Sequence, residues 1–219
     1  MHVTPPPVVY ESFDVQVYLG DMRELLPVLP SGHFDALITD PPYERKYWPL
    51  YQYVVDQASR LLRPGGYLLM IVPHLFLEPT AQHLTLPEGS ALRYRWPIQM
   101  RQTGGNHPRL CNAKRNLRVE GKHIAWWIRE PADVDYSEVV DGFDNDPPTK
   151  GFKWEQSPTW ARYCLGMLPP HSRVLDPLAG HGVLPVEAVK LGHEVVACEI
   201  DEGVAAEMVR RLEQAEADL

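Results

Sequence analysis

Short apolar runs with branched side chains, each ending at a proline or a charged residue, constrain the fold of this chain most strongly. Phe34–Thr39 and 67–72 are such runs, and between them residues 47–62 carry apolar side chains at helical spacing. Strands that are apolar at nearly every position are typical of parallel sheets covered on both faces. The alternation of strand and helix therefore predicts an α/β fold with a mostly parallel sheet.

The last third of the chain shows the same alternation. Its predicted elements are a helix that begins after Ser157, a strand at 173–176, a helix at 183–191, a strand at 193–199 and a terminal helix at 203–214. A glycine-rich segment, residues 177–182 (the glycine loop), lies between the first of these strands and its helix. Because Glu199 ends the next strand, this arrangement is typical of a sheet that binds a nucleoside cofactor.

Charge is unevenly distributed in the middle of the chain. The net charge is -8, yet residues 92–129 hold nine Lys or Arg and one acid, whereas residues 130–146 hold seven acids. One face of an acidic protein can therefore be basic, so the net charge does not exclude a nucleic-acid partner. We predict that 121–129 and 94–100 form an antiparallel strand pair, and that 130–150 is a mobile loop.

A turn of sequence Asp40-Pro41-Pro42-Tyr43 (the Asp-Pro-Pro-Tyr turn) follows the first apolar run. Neither proline has a backbone N–H and each fixes its own φ, so the turn is stiff and its carbonyls are expected to be free acceptors. This suits a planar ligand with an amine, because Asp40 and a turn carbonyl can accept from the amine while Tyr43 stacks on the ring. An ordinary turn at the end of a strand is the alternative.

Cysteine spacing and the N-terminal sequence indicate the class of protein. Cys111, Cys164 and Cys198 are far apart and form no Cys-x-x-Cys pair, so neither a zinc site nor a disulfide framework is indicated. The first residues lack the pattern of a signal peptide, and the longest apolar stretch is short. We expect a soluble, cytoplasmic protein without a membrane partner, and we interpret His181 as a turn residue, not a metal ligand.

The Asp-Pro-Pro-Tyr turn and the segment from Asp176 to Gly182 together resemble the paired motifs of the S-adenosylmethionine-dependent amino-methyltransferases of DNA. The catalytic motif comes first, which is the order of the β group of these enzymes and a circular permutation of the usual methyltransferase sheet. The resemblance covers most of the chain. It implies one Rossmann-like methyltransferase domain over 1–219, with a mostly parallel sheet, helices on both faces and a target-recognition insertion at 92–150.

The resemblance also implies a mechanism. Asp40 and the Pro41 carbonyl would accept from the two N–H groups of an exocyclic amine, leaving a localised lone pair to attack the sulfonium methyl in line. Pro42 would shape the turn, and Tyr43 would stack on a base rotated out of the duplex.

Residues of the glycine loop and of three strand ends are implied to bind the cofactor, S-adenosylmethionine: Asp21, Asp176, Pro177, Leu178, Ala179, Gly180, Gly182 and Glu199. Asp21 and Asp176 could instead cap helices, and Asp201 could replace Glu199 as the functional acid.

The basic stretch lies where the resemblance places target recognition. Its candidate contacts to phosphates and base edges are Arg101, Asn106, His107, Arg109, Asn112, Lys114, Arg115 and Arg118. The expected partner is double-stranded DNA, as in restriction-modification systems, and a homodimer is a hypothesis without a sequence signal of its own.

Adenine N6 is the favoured target because Asp opens the catalytic motif where Ser could stand. Three alternatives remain open: cytosine N4 in DNA, an amine in RNA or protein, and a non-enzymatic binding module that has kept the fold.

Overall fold

A computed structural model describes residues 4–72, 84–86, 88–103, 121–133, 137–147 and 156–219, together with the backbone of 111–112 and 117–118. Its strands are β1 (Val8–Glu11), β2 (Val15–Leu19), β3 (Phe34–Thr39), β4 (Leu62–Val72), β5 (Leu92–Gln102), β6 (Cys111–Asn112), β7 (Leu117–Arg118), β8 (Gly121–Arg129), β9 (Gly142–Asn145), β10 (Arg173–Asp176) and β11 (Glu194–Glu199). The described α-helices are α1 (Met22–Leu25), α2 (Trp48–Leu61), α3 (Pro158–Gly166), α4 (Val183–Lys190) and α5 (Glu202–Ala217), and single turns of 3-10 helix span Leu26–Val28 and Arg45–Tyr47.

Nine of the strands form one sheet in the order β1-β2-β11-β10-β3-β4-β8-β5-β9. The five strands from β2 to β4 in that order are parallel, which confirms the predicted mostly parallel α/β fold. The predicted antiparallel pair is confirmed too, because β8 lies between β4 and β5 and is antiparallel to both. β6 and β7 pair separately as a short two-stranded sheet.

Helices cover both faces of the sheet and enclose two hydrophobic cores. On one face Ala36 and Ile38 of β3 pack with residues of α3, α4 and α5, and on the other face Leu37 packs with residues of α1 and α2. The adjacent Trp126 and Trp127 of β8 are both buried, one in each core. Alternate residues of a strand point to opposite faces, so these strands are apolar throughout because both of their faces are covered.

Three segments differ from the sequence-based expectation. β4 begins at Leu62 instead of residue 67, and its pairing with β3 shifts between Phe34 and Ala36. The predicted mobile loop at 130–150 contains β9, which pairs in parallel with the end of β5. β1 was not predicted at all, because three of its four residues are exposed and only Tyr10 is half-buried.

The order of the strands reverses between β10 and β3. β10 is followed in the chain by β11 on one side, and β3 is followed by β4 on the other. Ligands of open α/β sheets bind outside the carboxyl ends of the strands at such a switch point. Within the described part of the chain, the helices are too short or too polar to cross a lipid bilayer.

Candidate active site

Four acidic residues lie at the carboxyl ends of neighbouring parallel strands. Asp40 follows β3, Asp176 ends β10, Glu199 ends β11 and Asp21 lies two residues beyond the end of β2. The sheet order places these four strands side by side, with β10 and β3 at the switch point. The Asp-Pro-Pro-Tyr turn and the glycine loop, which are about 140 residues apart in the chain, therefore meet at one edge of the sheet.

Two cavities border this edge, with volumes of about 880 Å³ and about 300 Å³. Predicted site residues that line the larger are Asp21, Asp40, Pro41, Pro42, Tyr43, Pro177, Leu178, Gly180 and Glu199. Those that line the smaller are Asp40, Asp176, Leu178, Ala179, Gly180 and Glu199. The two cavities adjoin, because both are lined by Asp40, Leu178, Gly180 and Glu199. Even without the smaller one, the larger cavity has the volume of a small-molecule site.

The Asp40 carboxylate accepts hydrogen bonds on both of its oxygens. The Tyr43 hydroxyl lies 2.6 Å from Oδ1 and 2.7 Å from Oδ2, and Nε2 of Gln156 donates to Oδ2 over 2.8 Å. Gln156 Nε2 also lies 2.8 Å from the Tyr43 hydroxyl oxygen, which accepts a further hydrogen bond from Nζ of Lys122. The donors on Asp40 are thus an amide NH₂ and a hydroxyl, chemically akin to the amine that was predicted to bind there.

Burial sets the protonation behaviour of this group of side chains. Loss of solvent raises the pKa of Asp40, and the positive charge of Lys122 and the two hydrogen bonds oppose that rise. Burial likewise raises the pKa of Tyr43 well above its usual value and lowers the pKa of Lys122, although the Asp40 charge opposes the latter shift. Asp40 and Lys122 therefore stabilise each other's charged form within a site that disfavours both.

The Pro41 carbonyl is not a free acceptor. The hydroxyl of Tyr51, a buried residue of α2, lies 3.1 Å from the Pro41 oxygen and 3.4 Å from the Pro42 oxygen. A carbonyl oxygen has two lone pairs, so the Pro41 oxygen keeps one for a ligand. The turn carbonyls were predicted to be free to accept from a ligand. The Tyr51 hydroxyl of α2 shares them, so each can accept from a ligand only with its remaining lone pair.

The predicted cofactor side of the site is built on two carboxylates and one glycine. Asp176 is 3% exposed and its Oδ1 accepts from the Thr39 hydroxyl over 2.9 Å and from the Leu178 N–H over 3.3 Å. Burial raises the pKa of Asp176 to about 7, with the nearby Asp40 and Glu199 charges contributing. Glu199 accepts from the backbone N–H groups of Ile200 and Asp201 on Oε1 and from Gly180 on Oε2, so one carboxylate fixes the glycine loop against the end of β11.

The two glycines of the loop serve different purposes. Gly180 has φ 53°, and a Cβ built on it would meet nothing within 4 Å. Gly182 has φ 81° at the N-terminus of α4, and a Cβ there would lie 2.5 Å from Cγ of Met208. Both positions favour glycine for their backbone conformation, but only Gly182 also needs it for packing. Gly180 borders both cavities, whereas Gly182 borders neither.

Two acids near the site cap helices, which is the alternative role predicted for Asp21 and not the one predicted for Asp201. Asp21 caps α1 by accepting from the Arg23 N–H, and its carboxylate is also paired with the Arg23 guanidinium, although Asp21 still lines the larger cavity. Asp201 caps α5 by accepting from the Val204 N–H over 3.0 Å. Asp201 lines neither cavity, whereas Glu199 lines both, which favours Glu199 as the acid of the site.

The predicted DNA contacts lie mainly outside the described residues. Asn106, His107, Arg109, Lys114 and Arg115 belong to that group, and for Asn112 and Arg118 only the backbone is described. Arg101 is exposed at the end of β5, where its Nε lies 2.7 Å from Oδ1 of Asp144 in β9. That pair is solvent-exposed, so it leaves Arg101 able to exchange its carboxylate partner for another anion at small cost.

Sequence reasoning missed three polar residues of the site. Tyr51 was interpreted only as part of an apolar helical stripe, although a buried tyrosine hydroxyl requires a hydrogen-bond partner. Lys122 is the second residue of β8. Because β8 is antiparallel to β4, its start lies at the carboxyl edge of the parallel strands. Gln156 precedes the cap of α3 by one residue and carried no signal of its own.

No protein-family model matches the sequence, but solved structures share its fold. The M1.HpyAVI–SAM complex has 20% sequence identity and a TM-score of 0.70, over 90% of this chain and 99% of that chain. PvuII DNA methyltransferase, described as cytosine-N4-specific, has 13% identity and a TM-score of 0.76, over 97% and 93%. A Thermus thermophilus protein complexed with S-adenosyl-L-methionine has 18% identity and a TM-score of 0.70, over 91% and 95%. The chain therefore has the Rossmann-like α/β fold that these structures share.

Proposed function

We propose that this protein is a DNA methyltransferase that transfers a methyl group from S-adenosylmethionine to the exocyclic amine of a flipped base. One observation carries the proposal: the Asp-Pro-Pro-Tyr turn and the glycine loop border the same cavity at the switch point of the sheet. The fold neighbours support it, since one is a complex with SAM and another is a DNA methyltransferase. The chain order of the two motifs supports assignment to the β group.

The residues on the cofactor side fit S-adenosylmethionine. Glu199 has lone pairs left for ribose hydroxyls after its three backbone contacts, and Gly180 leaves open space where a side chain would project. Buried Asp176 can accept from the amino group of the methionine part, and a cation there would favour its ionised form. When bound, this cofactor supplies an electrophilic methyl on a sulfonium. Asp21, Pro177, Leu178 and Ala179 complete the proposed cofactor set, and Gly182, which borders neither cavity, would act through the conformation of the loop.

Asp40 and the Pro41 carbonyl perform the activation in this proposal. An exocyclic amine is a poor nucleophile because its lone pair is delocalised into the ring. Two acceptors, one on each N–H, hold the nitrogen with its lone pair directed at the methyl group, and the Asp40 carboxylate stabilises positive charge that develops on the nitrogen. In the structure Tyr43 and Gln156 donate hydrogen bonds to the Asp40 oxygens, so the incoming amine must displace them.

The proposed target is adenine N6. Asp40 rather than a serine opens the motif, while the fold shared with a cytosine-N4-specific enzyme keeps cytosine N4 as the second candidate. In either case the amine is unreachable within a stacked pair, so the base must be rotated out, with Tyr43 stacking on it. An amine in RNA or protein is a more distant alternative.

Double-stranded DNA is the proposed partner, and residues 92–150 are the proposed recognition segment. β5, β8 and β9 of this segment extend the main sheet. The arginines and amides at 101–118 would contact phosphates and base edges, so that affinity falls with increasing salt. A homodimer and a place in a restriction-modification system are further hypotheses.

The test is transfer of isotope-labelled methyl from S-adenosylmethionine to unmethylated DNA, followed by mass spectrometry of the nucleosides. We expect N6-methyladenine from the wild type, and N4-methylcytosine would identify the second candidate. The variant Asp40→Ala should lose transfer by at least about a hundredfold, the scale on which single catalytic groups act, yet still bind the cofactor. Asp56→Ala, an exposed aspartate of α2, is the matched control. Full activity of Asp40→Ala would refute the catalytic assignment.

A further inference from the structure

Lys122 is the second residue of β8 and reaches into the active site from the antiparallel part of the sheet. Its Nζ donates a hydrogen bond to the Tyr43 hydroxyl and lies 4.3 Å from the centroid of the Tyr43 ring. Lys122 shares a face of β8 with Ile124 and Trp126, which pack in the same core that Tyr43 contacts. The lysine is thus held half-buried over the turn by the packing of its own strand.

The hydrogen bonds of the Tyr43 hydroxyl are fully accounted for. A phenol has one proton to donate and two lone pairs with which to accept. The proton goes to the Asp40 carboxylate, and the lone pairs face Nζ of Lys122 and Nε2 of Gln156. Loss of Lys122 would therefore leave one acceptor position empty and release one of the three restraints on the hydroxyl.

Charge balance at Asp40 depends on the same lysine. Among the residues that the structure describes, the groups that face Asp40 from other elements are Lys122 of β8, Gln156 ahead of α3, Tyr51 of α2 and Asp176 of β10. Within this group only Lys122 carries a positive charge, since Gln156 and Tyr51 are neutral and Asp176 is an acid. Burial alone would favour protonated Asp40, which could no longer accept on both oxygens.

We propose that Lys122 is a positioning residue of the active site, whose ammonium group fixes the Tyr43 hydroxyl and supplies the positive charge that balances the Asp40 carboxylate. This inference rests on the proposed function, because it assigns Lys122 to the ionised acceptor that the methyl transfer requires. Lys122 acts through Tyr43 and is spaced from Asp40 by the phenol. The ammonium group itself does not bind the carboxylate oxygens, which Tyr43 and Gln156 hold until the amine takes their place.

The first test measures the Asp40 carboxyl directly by NMR titration of the full chain, labelled in its aspartate carboxyl carbons, with Asp40→Asn used to assign the signal. We expect Lys122→Met to raise the pKa of Asp40 by about one unit, the usual effect of losing one close opposite charge. Lys122→Arg should restore the wild-type titration. Lys190→Met removes a lysine from α4, outside the site, and serves as the matched control. An unchanged Asp40 titration in folded Lys122→Met would overturn the proposal.

The second test is the pH profile of methyl transfer. Lys122→Met should move the acidic limb of the profile upward by about one pH unit, so that kcat falls by about tenfold on that limb and stays near the wild-type value on the plateau, while the cofactor dissociation constant stays within about twofold. Lys122→Arg should recover most of the rate, which a general loss of packing would not predict. A rate loss that is equal at all pH values would contradict the proposal.

The two tests separate two kinds of failure. If the wild type transfers no methyl group but Asp40 titrates as expected in the Lys122 variants, the proposed function fails and the electrostatic role stands. If the wild type is active and Lys122→Met titrates normally, only the role of Lys122 fails.

Discussion

The Thr39 hydroxyl donates a 2.9 Å hydrogen bond to Oδ1 of Asp176, and both residues are buried. Thr39 ends β3 and Asp176 ends β10, so this bond links the two strands at the point where the sheet order reverses. Thr39 immediately precedes Asp40, and Asp176 immediately precedes the glycine loop. This side-chain contact therefore adds to the backbone pairing of β3 with β10 in holding the proposed amine acceptor beside the proposed cofactor loop.

Asp176 should make cofactor binding depend on pH. Burial raises its pKa from the ordinary value of 3.8 to about 7, so the folded state favours the protonated carboxyl group. The stability that this group contributes is fully present below about pH 3.8 and is lost as the pH rises through about 7. A cationic ligand reverses the preference, because it favours the ionised carboxylate. We therefore expect the affinity for S-adenosylmethionine to increase between about pH 6 and pH 8. Calorimetry at several pH values measures this dependence.

Asp176→Asn removes the titrating group and should flatten that dependence while it weakens binding. Asp56→Asn, an exposed aspartate of α2, should retain the wild-type slope. A pH slope that persists unchanged in Asp176→Asn would show that another group is responsible.

Tyr51 should control the geometry of the Asp-Pro-Pro-Tyr turn. Tyr51→Phe removes the hydroxyl that donates to the Pro41 oxygen and should lower the free energy of unfolding by about 0.5–1.5 kcal/mol, the net value of one hydrogen bond. Because the Pro41 carbonyl, the proposed second acceptor of the amine, is then less well fixed, we expect kcat to fall by about threefold to tenfold with cofactor affinity unchanged. Steady-state kinetics and urea unfolding measure the two effects.

Tyr53→Phe is the matched control, since Tyr53 lies on the same helix. Its hydroxyl donates to the Arg23 carbonyl and not to the turn. Equal kinetic losses in the two variants would argue against a specific role for Tyr51.

Gly182 and Gly180 should respond differently to alanine. Gly182→Ala combines an unfavourable backbone conformation with a contact against Met208, and we expect a loss of about 1–3 kcal/mol in unfolding free energy from the backbone alone. Gly180→Ala carries the backbone cost without the contact, but its methyl group lies beside the smaller cavity, where we propose that the cofactor binds. The first variant should therefore lose more stability and the second more cofactor affinity.

Denaturant unfolding and equilibrium binding distinguish these outcomes. Combining Gly182→Ala with Met208→Ala should show favourable coupling, because the smaller side chain relieves the contact. Additive losses of unfolding free energy in the double variant would show that the whole effect of Gly182→Ala comes from its backbone conformation.

The strands that bear the site could be predicted from the sequence because their signals are local. Phe34–Thr39 and Arg173–Asp176 were predicted with their observed bounds, since apolar runs ended by proline turns specify both the element and its end. β9 could not be predicted in this way. It is polar apart from Phe143, and it is held by stacking of Phe143 on Tyr163 and by the Arg101–Asp144 pair, which join residues distant in sequence.

The same distinction applies to the active site. The Asp-Pro-Pro-Tyr turn and the glycine loop are contiguous motifs, so their residue types are visible in the sequence. The network around Asp40 joins Tyr43, Lys122 and Gln156, and Gln156 lies 113 residues from Tyr43 in the chain, so no local pattern connects them. Tertiary contact alone determines which cation and which amide reach the carboxylate.

The paired tryptophans of β8 determine more than packing. With Trp126 in one core and Trp127 in the other, a slip of β8 by one residue would place each ring in the core shaped for its neighbour. The same slip would replace Lys122 by His123 or Gly121 above the turn. Strand registry, enforced by two indole rings on opposite faces, thus decides the chemical identity of the side chain that meets Tyr43.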